Sequence, residues 1–132
     1  MDAINPNYYK SQGFDLNVDF ITKNELNFNE GNFIKYVYRA GNKGDEIQDL
    51  EKAIAYIEFQ HNYVIGSDKK FIKTGSYEFD FIPNLTGYKK DFFITYCNFN
   101  YDNWSQYVSM LMLLRSILRV TIKDLQNESK TN

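Results

Sequence analysis

Apolar residues recur at helical spacing in two consecutive stretches of the chain. Between residues 29 and 41, one apolar side is formed by Phe33, Ile34, Val37 and Ala40. From about 45 to 64, a second apolar side is formed by Ile47, Leu50, Ile54, Ile57, His61 and Val64. Asn29 suits the N-cap of the first helix, and Gly41 suits its C-terminal turn. Helices joined by a few residues normally run antiparallel, so residues 29–64 are predicted to form a helical hairpin.

The pattern changes on both sides of this hairpin. Residues 1–14, with Pro6 and Gly13 as breakers, are predicted to be an irregular arm, and residues 16–23 to form one or two helical turns. In the aromatic-rich residues 71–101, "SYEFDFI" alternates like a strand, whereas "DFFITYCNF" suits a strand or a helix. A long helix is predicted from about 102 to 126, followed by a frayed tail. The 132 residues therefore suit one mainly α domain, with a helical hairpin, a long C-terminal helix and a small aromatic-rich, strand-compatible segment between them.

The long C-terminal helix is apolar over more than half of its circumference. A helix this apolar in a small protein is either central or packed against a second chain. We therefore expect a homo-oligomer, most simply a homodimer, because two-fold pairs are the commonest assemblies. The predicted interface residues on this helix are Leu111, Leu114, Leu118 and Ile122.

Composition narrows the chemistry that the chain can support. The net charge of −2 argues against a protein that coats nucleic acid, which needs many cations against phosphates. With one cysteine and one histidine, an intrachain disulfide is excluded and a zinc or haem site is not expected, so no metal and no cofactor are predicted. The first residues do not resemble a signal peptide, and the longest apolar run, 108–114, is too short to span a bilayer. We expect an intracellular protein.

A polar stripe lies on the other side of the predicted hairpin. On the first helix, an arc of roughly 100° contains Asn32, Lys35, Tyr36 and Arg39. Lys43 continues the stripe beyond the first helix, and the polar side of the second helix adds Asp49, Lys52 and Tyr56. Arg and Lys suit phosphate, and Tyr offers a hydroxyl and a stacking surface, so these eight residues are the candidate ligand or phosphate site. Two alternatives stay open: a solvated face, or a structural tie in which Asp49 pairs with Arg39 or Lys52.

Two segments of the hairpin carry a family resemblance. "FNEGNFIKYVYRAGNK" at 28–43 and "DLEKAIAY" at 49–56 resemble the pattern of the SaV-like family of small phage proteins, a domain of unknown function. The resemblance covers about residues 8–58, and the family-like hairpin region as a whole spans 8–64. Near its start the chain has "YYK" at 8–10, so Tyr8 stands where the family has histidine. Residues 66–132, with the aromatic segment and the C-terminal helix, resemble no family that we can name.

The resemblance implies two functions of different kinds. The family includes a lactococcal phage protein that makes the phage sensitive to a host abortive-infection protein, and a coliphage nucleotide kinase. We therefore expect a phage-encoded protein of the host cytoplasm that acts through protein–protein interaction, sensed by or acting on a host abortive-infection protein. The alternative is a nucleotide-binding protein or nucleoside monophosphate kinase-like enzyme, with nucleotide as the ligand of the stripe. No catalytic residue is identified, and the sequence contains no standard phosphate loop.

Overall fold

Five helices make up most of the chain that the computed structural model describes, namely residues 10–11, 13–67, 85–98 and 104–131. They are a π-helix, Leu16–Thr22, and the α-helices α1 (Phe28–Arg39), α2 (Glu46–Gly66), α3 (Gly87–Asn98) and α4 (Trp104–Thr131). Two short antiparallel strands, β1 (Lys10–Ser11) and β2 (Phe14–Asp15), precede the helices. The prediction of a mainly α fold with a long C-terminal helix is thus confirmed. The segment "SYEFDFI" lies outside the described residues.

The two helices of the predicted hairpin run antiparallel. At one end Arg39 Nε lies 3.3 Å from Asp49 Oδ2, and at the other Asn27 Nδ2 donates to Gln60 Oε1 at 3.0 Å. The predicted apolar sides face the core: the fully or almost fully buried residues are Phe33, Ile34, Val37, Ala40, Leu50, Ile57 and Val64. Ile47, Ile54 and His61 lie at the edge of these sides and are partly buried. The hydrophobic period therefore predicted both helices and the faces that they bury.

The helix caps correct one predicted boundary. Asn27, rather than Asn29, caps α1, because its side-chain oxygen accepts from Glu30 N at 2.9 Å. The Glu30 carboxylate accepts in return from Asn27 N, which completes a capping box. Gly41 follows α1 with a φ of +80°, as its predicted role in the turn requires. Asp45 caps α2 by accepting from the backbone of the first turn.

The N-terminal segment is more regular than predicted over its described part. Lys10–Ser11 pairs with Phe14–Asp15 as two short antiparallel strands, and Gly13 between them has a φ of +80°. Residues 1–9 and 12 of the predicted irregular arm lie outside the described residues. A breaker residue here marks a turn between paired strands rather than an absence of structure. The helical turns predicted at 16–23 are present as the π-helix, which buries Leu16 and Phe20.

The C-terminal half adds two helices to the core. The segment "DFFITYCNF" is helical over its described residues and buries Phe92, Phe93, Tyr96 and Cys97. This resolves the choice left open between strand and helix. α4 continues to Thr131, so the tail expected to fray is helical over its described residues, 127–131. Within the described ranges, no helix is long and apolar enough to cross a membrane.

The residues predicted to form a dimer interface lie inside this chain's own core. Leu111, Leu114 and Leu118 are fully buried in the core, where α4 packs on α2 and α3, and Ile122 is partly buried. The apolar residues that α4 leaves exposed are on another side, where Leu113 and Val120 are 49% and 60% exposed. The three leucines are buried within the single chain, and both the interface and the homodimer remain predictions.

A buried polar network holds the N-terminal half of α1 against the other α-helices. The fully buried Glu30 carboxylate accepts from Tyr107 Oη at 2.6 Å and from Tyr96 Oη at 3.1 Å. Gln60, also fully buried, donates to Tyr107 Oη at 3.0 Å and accepts from Asn27 Nδ2. Because all four α-helices contribute, the network fixes how α1 is placed on the core.

Candidate functional site

The predicted polar stripe divides into two groups, and the first is a cluster of two lysines and two tyrosines. The rings of Tyr36 and Tyr56 are nearly parallel, with an interplanar angle of 14° and centroids 6.0 Å apart. Lys35 Nζ lies 5.1 Å and Lys52 Nζ 5.5 Å from the centroid of the Tyr36 ring. At these distances the ring quadrupole attracts each ammonium group. We call Lys35, Tyr36, Lys52 and Tyr56 the lysine–tyrosine cluster.

Two exposed phenylalanines extend this cluster. Tyr56 makes edge contacts with Phe28 at 5.8 Å and with Phe59 at 5.6 Å between centroids. Phe28 is 73% exposed and Phe59 is 55% exposed. Contiguous exposed aromatic side chains are uncommon on a surface without a binding role. Phe28, Tyr36, Tyr56 and Phe59 together are called the aromatic face.

A small cleft adjoins the aromatic face, between the π-helix and the first half of α1. Its volume is about 250 Å³, and its lining residues are Asn17, Ile21, Leu26, Asn27, Phe28, Gly31, Asn32 and Lys35. A Cβ at Gly31 would lie 3.3 Å from Ile21 Cγ2, so glycine permits this close approach of the two helices. The Asn32 amide donates to Phe28 O at 2.8 Å, which orients its side chain along the cleft wall. Phe28 and Lys35 belong to the cleft and to the surface beside it.

The second group of the stripe is an ion pair across the hairpin. Asp49 is buried, with a side chain 2% exposed, and Arg39 Nε lies 3.3 Å from its Oδ2. The sequence placed Asp49 on the polar side of α2, and in the structure its side chain is buried at Arg39 of the other hairpin helix. This pair has the geometry expected of the structural tie, in which Asp49 pairs with Arg39 or Lys52. The tie is one of the two alternatives that the sequence left open. Lys43 is exposed in the turn that follows Arg39.

Helix α3 contributes two polar side chains at the same end of the hairpin. Tyr88 Oη donates to Glu46 Oε2 at 2.7 Å, and Lys89 Nζ donates to Tyr38 O, near the end of α1, at 2.8 Å. Burial lowers the pKa of Lys89, and the nearby carboxylates of Glu46 and Asp49 act in the opposite direction. Burial and the hydrogen bond to Glu46 raise the pKa of Tyr88. These contacts hold α3 against the end of α1 and the start of α2. They had no local signal in the sequence, because the partners lie 42 and 51 residues apart.

Other charged or aromatic candidates do not form a site within the described ranges. Arg119 Nη2 lies 3.6 Å from Glu58 Oε1, but both side chains are about half exposed, and such pairs contribute little. Trp104 anchors α4 by donating from Nε1 to Val64 O at 3.1 Å. No group of histidine, cysteine or carboxylate residues in the described part of the chain could hold a metal ion.

The N-terminal part of the chain matches a known protein family. Residues 4–58 match a family described as a protein of unknown function, DUF3310. The matched segment contains α1, the first part of α2 and all four residues of the lysine–tyrosine cluster, and it ends before Phe59 and before α3. No curated protein and no solved structure matches the chain.

Proposed function

We propose that the chain is a phage-encoded protein of the SaV-like type that acts in the host cytoplasm by binding a host protein through the aromatic face. The observation that carries the proposal is the exposure of Phe28 and Phe59, at 73% and 55%, while both contact Tyr56. Aromatic side chains are enriched in protein interfaces and supply much of their binding energy. The family resemblance supports a host abortive-infection protein as the partner.

The shape of the surface favours a macromolecular partner over an enclosed substrate. The cleft beside the face has a volume of about 250 Å³, below the 300–1,000 Å³ that is usual for small-molecule pockets. Arg39, the stripe residue best suited to bidentate phosphate contacts, lies against the buried Asp49 instead. Binding rather than catalysis is therefore the proposed activity.

Affinity capture with surface variants tests this function. Three tagged chains are used to capture proteins from host cells. They are the parent, a double variant with Phe59→Ser and Lys52→Glu, and Leu113→Ser as a matched exposed control on α4. We expect a protein that the parent and the Leu113→Ser control recover and the double variant loses. Equal recovery by all three chains, or no specific recovery by the parent, would reject the aromatic face as the binding surface.

The lysines of the cluster support nucleotide binding as a second candidate function. Within the described residues, neither Lys35 nor Lys52 forms an ion pair, although both ammonium groups lie near the Tyr36 ring. Cations beside a stacking surface suit a phosphorylated aromatic ligand, as in a nucleotide-binding or kinase-like protein.

Calorimetry against a panel of nucleoside mono- and triphosphates tests this candidate, with chromatography of the products to detect turnover. Each lost charge-assisted contact is worth about 1.5–3 kcal/mol, so Lys35→Ala and Lys52→Ala should each weaken binding about ten- to a hundred-fold. Binding that both variants retain, or no binding by the parent, would exclude the lysine–tyrosine cluster as a nucleotide site.

A further inference from the structure

We propose that the cleft and its neighbouring lysines form a docking site for a short acidic segment of the partner protein. One large apolar side chain of that segment fills the cleft, and flanking carboxylates contact Lys35 and Lys52. This inference rests on the proposed protein-binding function and specifies the chemistry of the partner.

The composition of the cleft suits one apolar side chain. Its apolar walls are Ile21, Leu26 and Phe28, contributed by the π-helix, the following link and the start of α1. Its volume of about 250 Å³ lies below the range for drug-sized ligands and leaves room for a single anchoring group. Gly31, whose Cβ would meet Ile21, adds no side chain to the floor. An apolar anchor in a small pocket is a common hot spot of protein interfaces.

The charges beside the cleft specify an acidic segment. Lys35 lines the cleft and also approaches the Tyr36 ring, and Lys52 approaches the same ring from α2. The nearby carboxylate of Asp49 is buried against Arg39 and faces away from solvent. Glu51 precedes Lys52 directly, and adjacent residues of a helix do not face each other. One ammonium group therefore lies at the cleft and a second lies near the ring that the first one also approaches, and carboxylates of a partner complement both.

The site is also held in place before binding. Asn27 lines the cleft and caps α1, and its side chain donates to the buried Gln60. Glu30, one turn from the cleft residue Asn27, is fixed by Tyr96 and Tyr107. A wall that is already ordered loses little conformational entropy when a segment docks.

Selection from a displayed library of random peptides tests the inference. The immobilised chain is the target, and the affinity of selected synthetic peptides is measured for the parent and for Lys35→Glu, Phe28→Ala and the control Lys123→Glu. Lys123 is exposed on α4, far along the sequence from the cleft. We expect selected peptides to combine acidic residues with a large apolar residue. Their affinity should fall about ten-fold or more in the two site variants, stay unchanged in the control, and weaken as salt is raised.

Several outcomes would overturn the inference. The inference fails if the selected peptides lack acidic residues, if they bind the site variants as well as the parent, or if no peptide is selected. Displacement of the peptides by a nucleoside monophosphate that binds at Lys35 would assign the cleft to a small ligand instead. If a host protein is still captured in a manner that depends on Phe59 and Lys52, the protein-binding function stands while this docking mode fails. Circular dichroism of each variant confirms that a lost affinity is not a lost fold.

Discussion

Removal of the Arg39 side chain separates the structural and ligand-binding interpretations of the polar stripe. The Asp49 side chain is 2% exposed and that of Arg39 is 26% exposed, with 3.3 Å between Nε and Oδ2. Breaking a buried ion pair at one partner costs roughly 3–5 kcal/mol, because the other charge stays buried. Since a quarter of Arg39 is exposed, we expect Arg39→Ala to cost about 3 kcal/mol. That cost corresponds to a melting temperature lower by about 10 °C.

Urea denaturation followed by circular dichroism measures this cost, and a double-mutant cycle identifies its origin. Arg39→Ala, Asp49→Asn and the double variant should show a coupling of about 1–3 kcal/mol, since the second change removes the charge that the first leaves unpaired. Lys52→Ala, which removes an exposed cation, should change stability by no more than about 0.5 kcal/mol. An Arg39→Ala protein as stable as the Lys52→Ala control, or a cycle without coupling, would refute the structural tie.

The remaining predictions concern the core, the buried network, pH and assembly. Leu50→Ala should cost about 2–5 kcal/mol in urea titrations, because Leu50 is fully buried; a change within error would contradict its place in the core. Tyr107→Phe removes the 2.6 Å hydrogen bond to Glu30 and should cost about 2 kcal/mol, and a neutral result would show that the bond does not stabilise the fold. Burial lowers the pKa of Lys89 below 10.5, so the folded state loses this proton before the unfolded state and stability should rise with pH toward 10.5. Urea titrations from neutral pH to about pH 10 should show that Lys89→Met abolishes this rise, and an identical slope in both proteins would contradict it. If the chain forms a dimer through the exposed side of α4, Leu113→Asp should reduce its mass in light scattering to 15.6 kDa, whereas a parent already at 15.6 kDa would exclude the dimer.

The sequence was sufficient for the parts of the fold that depend on local periodicity. The apolar residues of α1 and α2 repeat at helical spacing and are buried where the pattern places them, as Val37 and Leu50 show. The correct start of α1 could also have been predicted from the sequence. Asn27 and Glu30 have the spacing of a capping box, a stronger start signal than the asparagine at 29.

Contacts between residues that are far apart in the sequence could not be predicted from the local pattern. Glu30 has the position of an exposed acid in a first helical turn, yet it is buried because Tyr96 and Tyr107, 66 and 77 residues away, donate to it. Asp49 is buried for the same kind of reason, since its partner lies on the other helix. Helical spacing indicates which side of a helix a residue occupies, but not which polar group from elsewhere meets it.

For the candidate site, the sequence predicted the cluster residues of the hairpin but not every aromatic residue beside them. Lys35, Tyr36, Lys52 and Tyr56 were predicted to belong together, and the antiparallel hairpin brings them into contact. The exposure of Phe59 and its contact with Tyr56 were missed, because a phenylalanine in a helix is normally assigned to the core and its exposure depends on how α2 is rotated.

Nuclear magnetic resonance mapping of the bound surface tests the central claim, that this protein binds its partner through the aromatic face. The isotope-labelled chain is titrated with the host protein recovered by affinity capture, and changes in chemical shift are assigned to residues. We predict that the largest changes occur at Phe28, Lys35, Tyr56 and Phe59. Changes confined to the exposed side of α4, around Leu113, would contradict the account.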